Sequence, residues 1–289
     1  MPPRAGLRSV ARGYLRDVAA ASPLSQLRRS LEAAARQRSA AREGAHRPWP
    51  PPRAPWVLAQ TWLDACFLHW PVDPGALRRA VPSELDVETF DGVAWLTITP
   101  LLIRASRPRL VPPLSPAASF PELNLRTYTS LAGKPGVYFL SLDCASALAV
   151  AAARALYRLP YRLARMSMRR EGARTVLSSR RVRPGPLPAR VAVAYAPLGE
   201  PVSPAPGSLD HWLLERYCCY GVDRLLGVLR TEIQHPPWQV RQAEVQLGEN
   251  TLASAHGLTL RGPPLAHLGR RQDVLFWAPQ RVRRRATER

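Results

Sequence analysis

Residues 120–128, Phe-Pro-Glu-Leu-Asn-Leu-Arg-Thr-Tyr, carry an acid, an amide, a guanidinium and a phenol at every second position. Side chains alternate across a strand. As a strand, this stretch turns Glu122, Asn124, Arg126 and Tyr128 to one face and Leu123, Leu125 and Thr127 to the other. Pro121 lacks an N–H and fits only at the strand's start. With its polar face in water, this is an ordinary half-buried surface strand. Inside a small closed barrel, the four polar side chains would converge on one cavity. Arg126 would then either pair with Glu122 or receive a ligand carboxylate in a two-pronged fork. These residues leave both readings open.

The elements that would position this strand are legible around it. Asp73-Pro74 starts a short helix, with Asp as cap and Pro in the first turn. Asp91-Gly92 is a hairpin signal between residues 85–88 and 93–98. Residues 104–119, rich in Pro, Ser and Arg, read as a loop. Gly133-Lys134-Pro135-Gly136 reads as a turn returning into a strand over 137–142. Ala-rich residues 146–157 read as a helix, and 208–217 as a shorter one. Residues 163–180, 188–196 and 238–247 read as strands, and 251–260 and 273–277 close the body. Many strands with hairpin turns and few helices predict an α+β chain, mainly antiparallel, folded as a barrel or sandwich.

Of 41 basic residues only Lys134 is a lysine, and the net charge is +20. That ratio points to coding bias rather than to a nucleic-acid surface, and no finger or helix-turn-helix pattern supports specific nucleic-acid binding. Residues 1–55 hold 11 Arg against Asp17, Glu32 and Glu43, and the stretch 280–289 holds five against Glu288. Residues 1–47 read as a basic extension, partly helical (Leu7, Val10, Tyr14, Val18) or disordered; the composition loosely resembles an organelle transit peptide, but coding bias favours a dispensable bacterial extension. Residues 48–55, five of them proline, read as a stiff linker. The body is expected over 56–280, with a basic tail at 281–289. Cys66, Cys144, Cys218 and Cys219 show no metal-ligand spacing and read as buried thiols in a cytoplasmic protein. No metal or cofactor is implied, and no apolar run is long enough to span a bilayer. His69 and His235, each near a tryptophan, read as core residues, and Glu215-Arg216 as a local or sheet-bridging ion pair.

The motifs at 67–74, 120–128 and 136–143 resemble the YqjF-like bacterial family, a domain of unknown function. So do Glu215-Arg216-Tyr217, His235-Pro236-Pro237-Trp238 and Asp273-Val274-Leu275-Phe276-Trp277. The resemblance covers roughly 56–280. More distantly, 76–85 and 147–154 followed by Leu159-Pro160-Tyr161-Arg162-Leu163 are similar to acetoacetate decarboxylase. That similarity implies a cone-shaped antiparallel closed barrel with flanking sheet and a few helices. It also implies an acidic residue near the substrate, at Glu122. The decarboxylase loop reads Pro-Lys-Lys, whose first lysine forms an imine with the keto acid. Here Tyr161 and Arg162 stand in its place, and neither is an amine nucleophile. Lys134 is expected to be solvated in its turn.

Two functions are therefore expected. One is binding of a small carboxylate or keto acid within the barrel, with Glu122, Asn124, Arg126, Tyr128, Tyr161 and Arg162 as pocket candidates and no Schiff base. The other is an enzyme (a lyase, isomerase or hydrolase) using Glu122 and Tyr161 for acid–base work. A weaker alternative is polyanion association through the Arg-rich ends.

Overall fold

The computed structural model describes residues 23–112, 118–182 and 188–283. The periodicity at Leu7–Val18 and the tail beyond 283 lie outside the described residues. Helix α1 (Pro23–Ala40) precedes β1 (Leu58–Val72) and α2 (Pro74–Ala80). Then come β2 (Asp86–Val87), β3 (Thr89–Phe90), β4 (Val93–Pro108), β5 (Phe120–Leu131) and β6 (Lys134–Cys144). Helix α3 (Ala147–Tyr157), β7 (Tyr161–Glu171), β8 (Arg174–Arg181), β9 (Arg190–Val202) and α4 (Leu209–Leu214) follow. The chain ends with β10 (Cys218–Asp223), β11 (Gly227–Gln234), β12 (Val240–Asn250), β13 (Leu265–Phe276) and β14 (Gln280–Val282).

All strands among the described residues join one 14-stranded sheet that closes on itself twice. One circuit runs β6-β7-β8-β9-β12-β13-β1-β4-β5 and back to β6, a ring of nine strands. A smaller circuit of seven runs β6-β10-β11-β13-β1-β4-β5. The strands β13, β1, β4, β5 and β6 form a wall common to both. Pairing is antiparallel except at β6–β7 and β6–β10. These parallel contacts need crossovers, which α3 and the long return to β10 supply.

The common wall has a core on each side. Cys66, Leu68, Leu96, Ile98, Leu123 and Leu125 belong to the cluster that fills the nine-strand ring with Leu177, Val193 and Tyr195. Phe67, Leu101, Tyr128, Phe139 and Leu142 belong to a second cluster with Leu213, Leu214, Cys219 and Ile233. Strand β5 is therefore buried on both faces, and its polar face lines the smaller ring instead of water. Cys218 and Cys219 fall into opposite clusters, as an extended pair must, and all four thiols are free and buried.

Local expectations met two kinds of outcome. Asp73 caps α2, accepting from Ala76 N at 2.6 Å, and Ser146 caps α3. Asp91 and Gly92 take the positive φ values (49° and 79°) of the tight hairpin between β3 and β4. Residues 86–87, however, pair with β5 and not with β4. The turn before β6 is Ala132-Gly133, so Lys134 and Gly136 are strand residues. A Cβ on Gly136 would lie 2.7 Å from Cys218 Sγ and 2.9 Å from its carbonyl oxygen, so that glycine permits the β6–β10 approach. Strand β4 extends to Pro108, shortening the expected loop.

The segment before Trp56, expected to stand apart, contacts the body. Gln37 donates to Thr61 Oγ1 and Ala105 O. Arg47 is buried, pairs with Glu232 at 3.0 Å and donates to Ile233 O and Gln234 Oε1. Trp49 Nε1 donates to the same Glu232 at 2.8 Å. A proline-rich stretch is stiff, but stiffness sets neither where it lies nor what flanks it.

Candidate functional site

Parity along the common wall assigns each side chain to one ring. On β5, Glu122, Asn124, Arg126 and Tyr128 alternate with Leu123 and Leu125 and face the seven-strand ring. All four are buried, at 0–6% exposure. On β4, Thr97 pairs with Arg126, Thr99 with Asn124 and Leu101 with Glu122. On β1, His69 lies opposite Thr97, and on β13, His267 lies opposite Phe67. Short helix α4 covers these rows. Trp212 lies 4.6 Å from the Tyr128 ring, and Leu213 and Leu214 enter the core.

The polar groups form two clusters. At one end Tyr161 OH donates to Glu122 Oε2 at 2.8 Å, and Asn124 also bonds that carboxyl. Burial outweighs these bonds and pushes the Glu122 carboxyl up to about 7, with Asp143 adding to the shift. Burial and the Glu122 charge hold the Tyr161 phenol well above its ordinary range. Donation to Glu122 occupies the Asn124 amide, and its Oδ1 has no partner.

At the other end stands Arg126. Its Nη2 donates to Leu213 O at 3.3 Å, Tyr128 bonds it, and its Cζ lies 4.9 Å from the Phe67 ring centre. Its Nε has no partner, and no acid among the described residues balances its charge. Of the two readings left open for Arg126, pairing with Glu122 is corrected: Glu122 turns to Tyr161. With Asn124 between them, the two are four residues apart, about 13 Å along an extended strand, so each needs its own partner. Burial lowers the Arg126 pKa from its ordinary value, and Arg216 acts in the same direction.

Next to Arg126 a chain of hydrogen bonds runs from His69 Nδ1 to Thr97 Oγ1 (2.8 Å) and on to Tyr128 OH (2.8 Å). The His69 and His267 rings are 5.3 Å apart, and His267 Nε2 lies 3.2 Å from Asp210 Oδ1. Burial keeps both imidazoles below the usual histidine range; for His69, His267 and Arg126 add to it. His69 Nε2, His267 Nδ1 and Thr99 Oγ1 are all buried without a partner. His69 is fully buried, as the core reading expects, while His267, Thr97, Thr99 and Asp210 escaped sequence reasoning. The one available signal was alternation: Phe67 and His69, Thr97 and Thr99, share faces of their strands.

Arg162 does not join these groups. It neighbours Tyr161 and so points the other way, towards Asp143 and Arg181, within the nine-strand ring. There Arg181 grips Asp143 at 2.8 Å and Ser141 at 2.8 Å. Two further corrections concern ion pairs. Arg216 pairs with Glu88 at 2.5 Å, while Glu215 accepts from Trp238 N and Tyr217 OH. Lys134, expected in water, lies 3.2 Å from Glu232 and over the Trp49 ring. No group of three His, Cys, Asp or Glu among the described residues is arranged to hold a metal. No helix among them is long and apolar enough to cross a membrane.

The comparisons agree with this architecture. Acetoacetate decarboxylase from Legionella pneumophila superposes with a TM-score of 0.55 at 13% identity, covering 81% of this chain and 92% of that one. The enduracididine biosynthesis enzyme MppR, complexed with pyruvate, superposes with a TM-score of 0.53 at 11% identity, covering 82% and 96%. At such identities the likeness establishes the fold: an acetoacetate-decarboxylase-like barrel. The uncharacterized protein YqjF of Bacillus subtilis (strain 168) is 42% identical over 223 residues, 77% of this chain and 91% of that protein. Residues 59–273 match the family DUF2071, described as "Uncharacterized conserved protein (COG2071)", and the chain belongs to that family.

Proposed function

We propose that the protein binds a small carboxylate inside the seven-strand ring, at Arg126, without forming an imine. The observation that carries this reading is a buried guanidinium with no acid beside it and a free Nε. An uncompensated buried cation is expensive, and a ligand carboxylate would supply both the missing charge and an acceptor for Nε. MppR, of similar fold, is described in complex with pyruvate, which fits a small acid in this interior. The imine is disfavoured by the placement of Lys134, the chain's one lysine, whose ammonium is held between Glu232 and Trp49. The test is a thermal-stabilisation screen with small monocarboxylates. A ligand at 100 times its dissociation constant should add about 2.7 kcal/mol, and Arg126→Met should abolish the gain. Stabilisation that survives this substitution would overturn the reading.

A second reading, acid–base catalysis by Glu122 and Tyr161, is favoured by one observation. A carboxyl raised to about 7 can exchange protons near neutral pH. Turnover of a bound acid that Glu122→Gln abolishes while binding persists would support it.

A further inference from the structure

We infer that the ligand of the Arg126 site is a hydroxycarboxylic acid, its carboxylate on Arg126 and its hydroxyl donating to His267 Nδ1. This rests on the carboxylate-binding reading and adds the second point of recognition. The inference follows from hydrogen-bond accounting. Asp210 Oδ1 lies 3.2 Å from His267 Nε2, and a carboxylate only accepts. A neutral imidazole has one N–H, so that proton sits on Nε2 and Nδ1 keeps its lone pair. That nitrogen is buried and has no donor.

The groups around His267 Nδ1 do not supply the missing donor. His69, 5.3 Å away ring to ring, has its Nδ1 engaged with Thr97, and its Nε2 is itself unpartnered. Phe67 lies directly across from His267 on β1 and stacks against the Arg126 guanidinium. The interior thus offers a cation for a carboxylate and, on the strand row that carries Phe67, a lone pair for an O–H. A ketone at that position brings an acceptor to an acceptor. An alkyl group leaves Nδ1 unsatisfied, and a buried polar group without a partner costs free energy that a hydroxyl would recover. An amino acid would set its ammonium in a region already positive through Arg126 and Arg216, both of which lie over the Tyr128 ring.

The experiment is isothermal titration of the full chain with matched sets of acids: lactate, pyruvate and propionate; 3-hydroxybutyrate, acetoacetate and butyrate. The expected result is that one hydroxy acid binds at least about tenfold tighter than both its keto and its unsubstituted counterpart. A site built around a hydroxyl rejects analogues that lack it. His267→Phe should erase that preference, leaving the hydroxy acid bound no tighter than its unsubstituted counterpart. Because His267 is buried, Asp210→Ala at the half-exposed partner serves as a second variant. It frees the Nδ1–Nε2 tautomer and should shrink the preference. Equal or tighter binding of the keto acid, or a hydroxy preference that survives both substitutions, overturns the inference while leaving carboxylate binding intact. Absence of binding by every acid in both sets overturns the carboxylate reading and this inference with it.

Discussion

Arg126 and Glu122 sit on one strand face yet solve burial differently. Glu122 can shed its charge by taking up a proton, and burial favours that form. Arg126 keeps its charge and needs an external anion or bears the cost. Replacing Arg126 with Met should therefore be close to neutral or stabilising in the ligand-free protein, by up to about 1–4 kcal/mol. Urea unfolding checks this; a loss above about 3 kcal/mol would show that a carboxylate within the protein does pair with it. For Glu122 the sign follows from a folded pKa near 7, above its ordinary value of 4.5. Between those values the folded state holds more protons, so this group's contribution to stability falls as pH rises and levels off above about 7. The stability of Glu122→Gln relative to the parent should rise by about 3 kcal/mol between pH 4.5 and pH 8. Histidine contributions cancel in that difference, so a flat difference would mean that Glu122 is ionised throughout.

At the scale of elements, two approaches decide the architecture. The parallel contact of β6 with β10 needs the absence of a side chain at Gly136, because a Cβ there meets a backbone oxygen and two side chains. Gly136→Ala should destabilise by about 1–3 kcal/mol through overpacking, read as a lowered urea midpoint with the slope unchanged. The second approach is that of the amino-terminal segment. Glu232 gathers Arg47, Lys134 and Arg230 within 3.2 Å. Arg47→Ala leaves Glu232 its other two cations, so the loss should fall near the lower end of the about 3–5 kcal/mol typical of broken buried pairs. Limited proteolysis of the parent protein should leave a fragment that begins upstream of Arg47. In Arg47→Ala, cleavage near residue 52 should appear; identical fragments from both would show that the clamp does not hold the segment.

For the whole molecule, the shared wall explains why function and packing cannot be separated in this fold. Five strands serve two interiors, so substitutions on β5 reach one ring or the other according to parity. The polar content of the two rings also differs. The nine-strand ring neutralises its buried Arg181 with Asp143, whereas the seven-strand ring leaves Arg126 unbalanced. This asymmetry is the reason the proposed carboxylate is placed in the seven-strand ring. It also bears on the chemistry: incubation with acetoacetate and borohydride should leave Lys134 unmodified in mass spectrometry, because its amine is held as an ion pair at the start of β6. An adduct at Lys134 with release of carbon dioxide would restore the imine mechanism.

Local rules determined much of this protein directly. Asp73 and Ser146 as caps, Asp91-Gly92 as a hairpin and the alternation of β5 are each set by a few neighbouring residues, whose backbone geometry requires those side chains. The resemblance of the motifs around residues 67–74 and 120–128 carried the family. What only the tertiary structure decided is which polar group meets which. Alternation told that Glu122 and Arg126 share a face, but not that the strand has a second, equally buried face. Nor did it tell that Tyr161, from a strand reached through α3, takes the Glu122 carboxyl. His267 entered the site from β13, about 140 residues further along the chain, through pairing with β1. Contacts of that separation depend on how the sheet closes, and closure is a property of all the strands together.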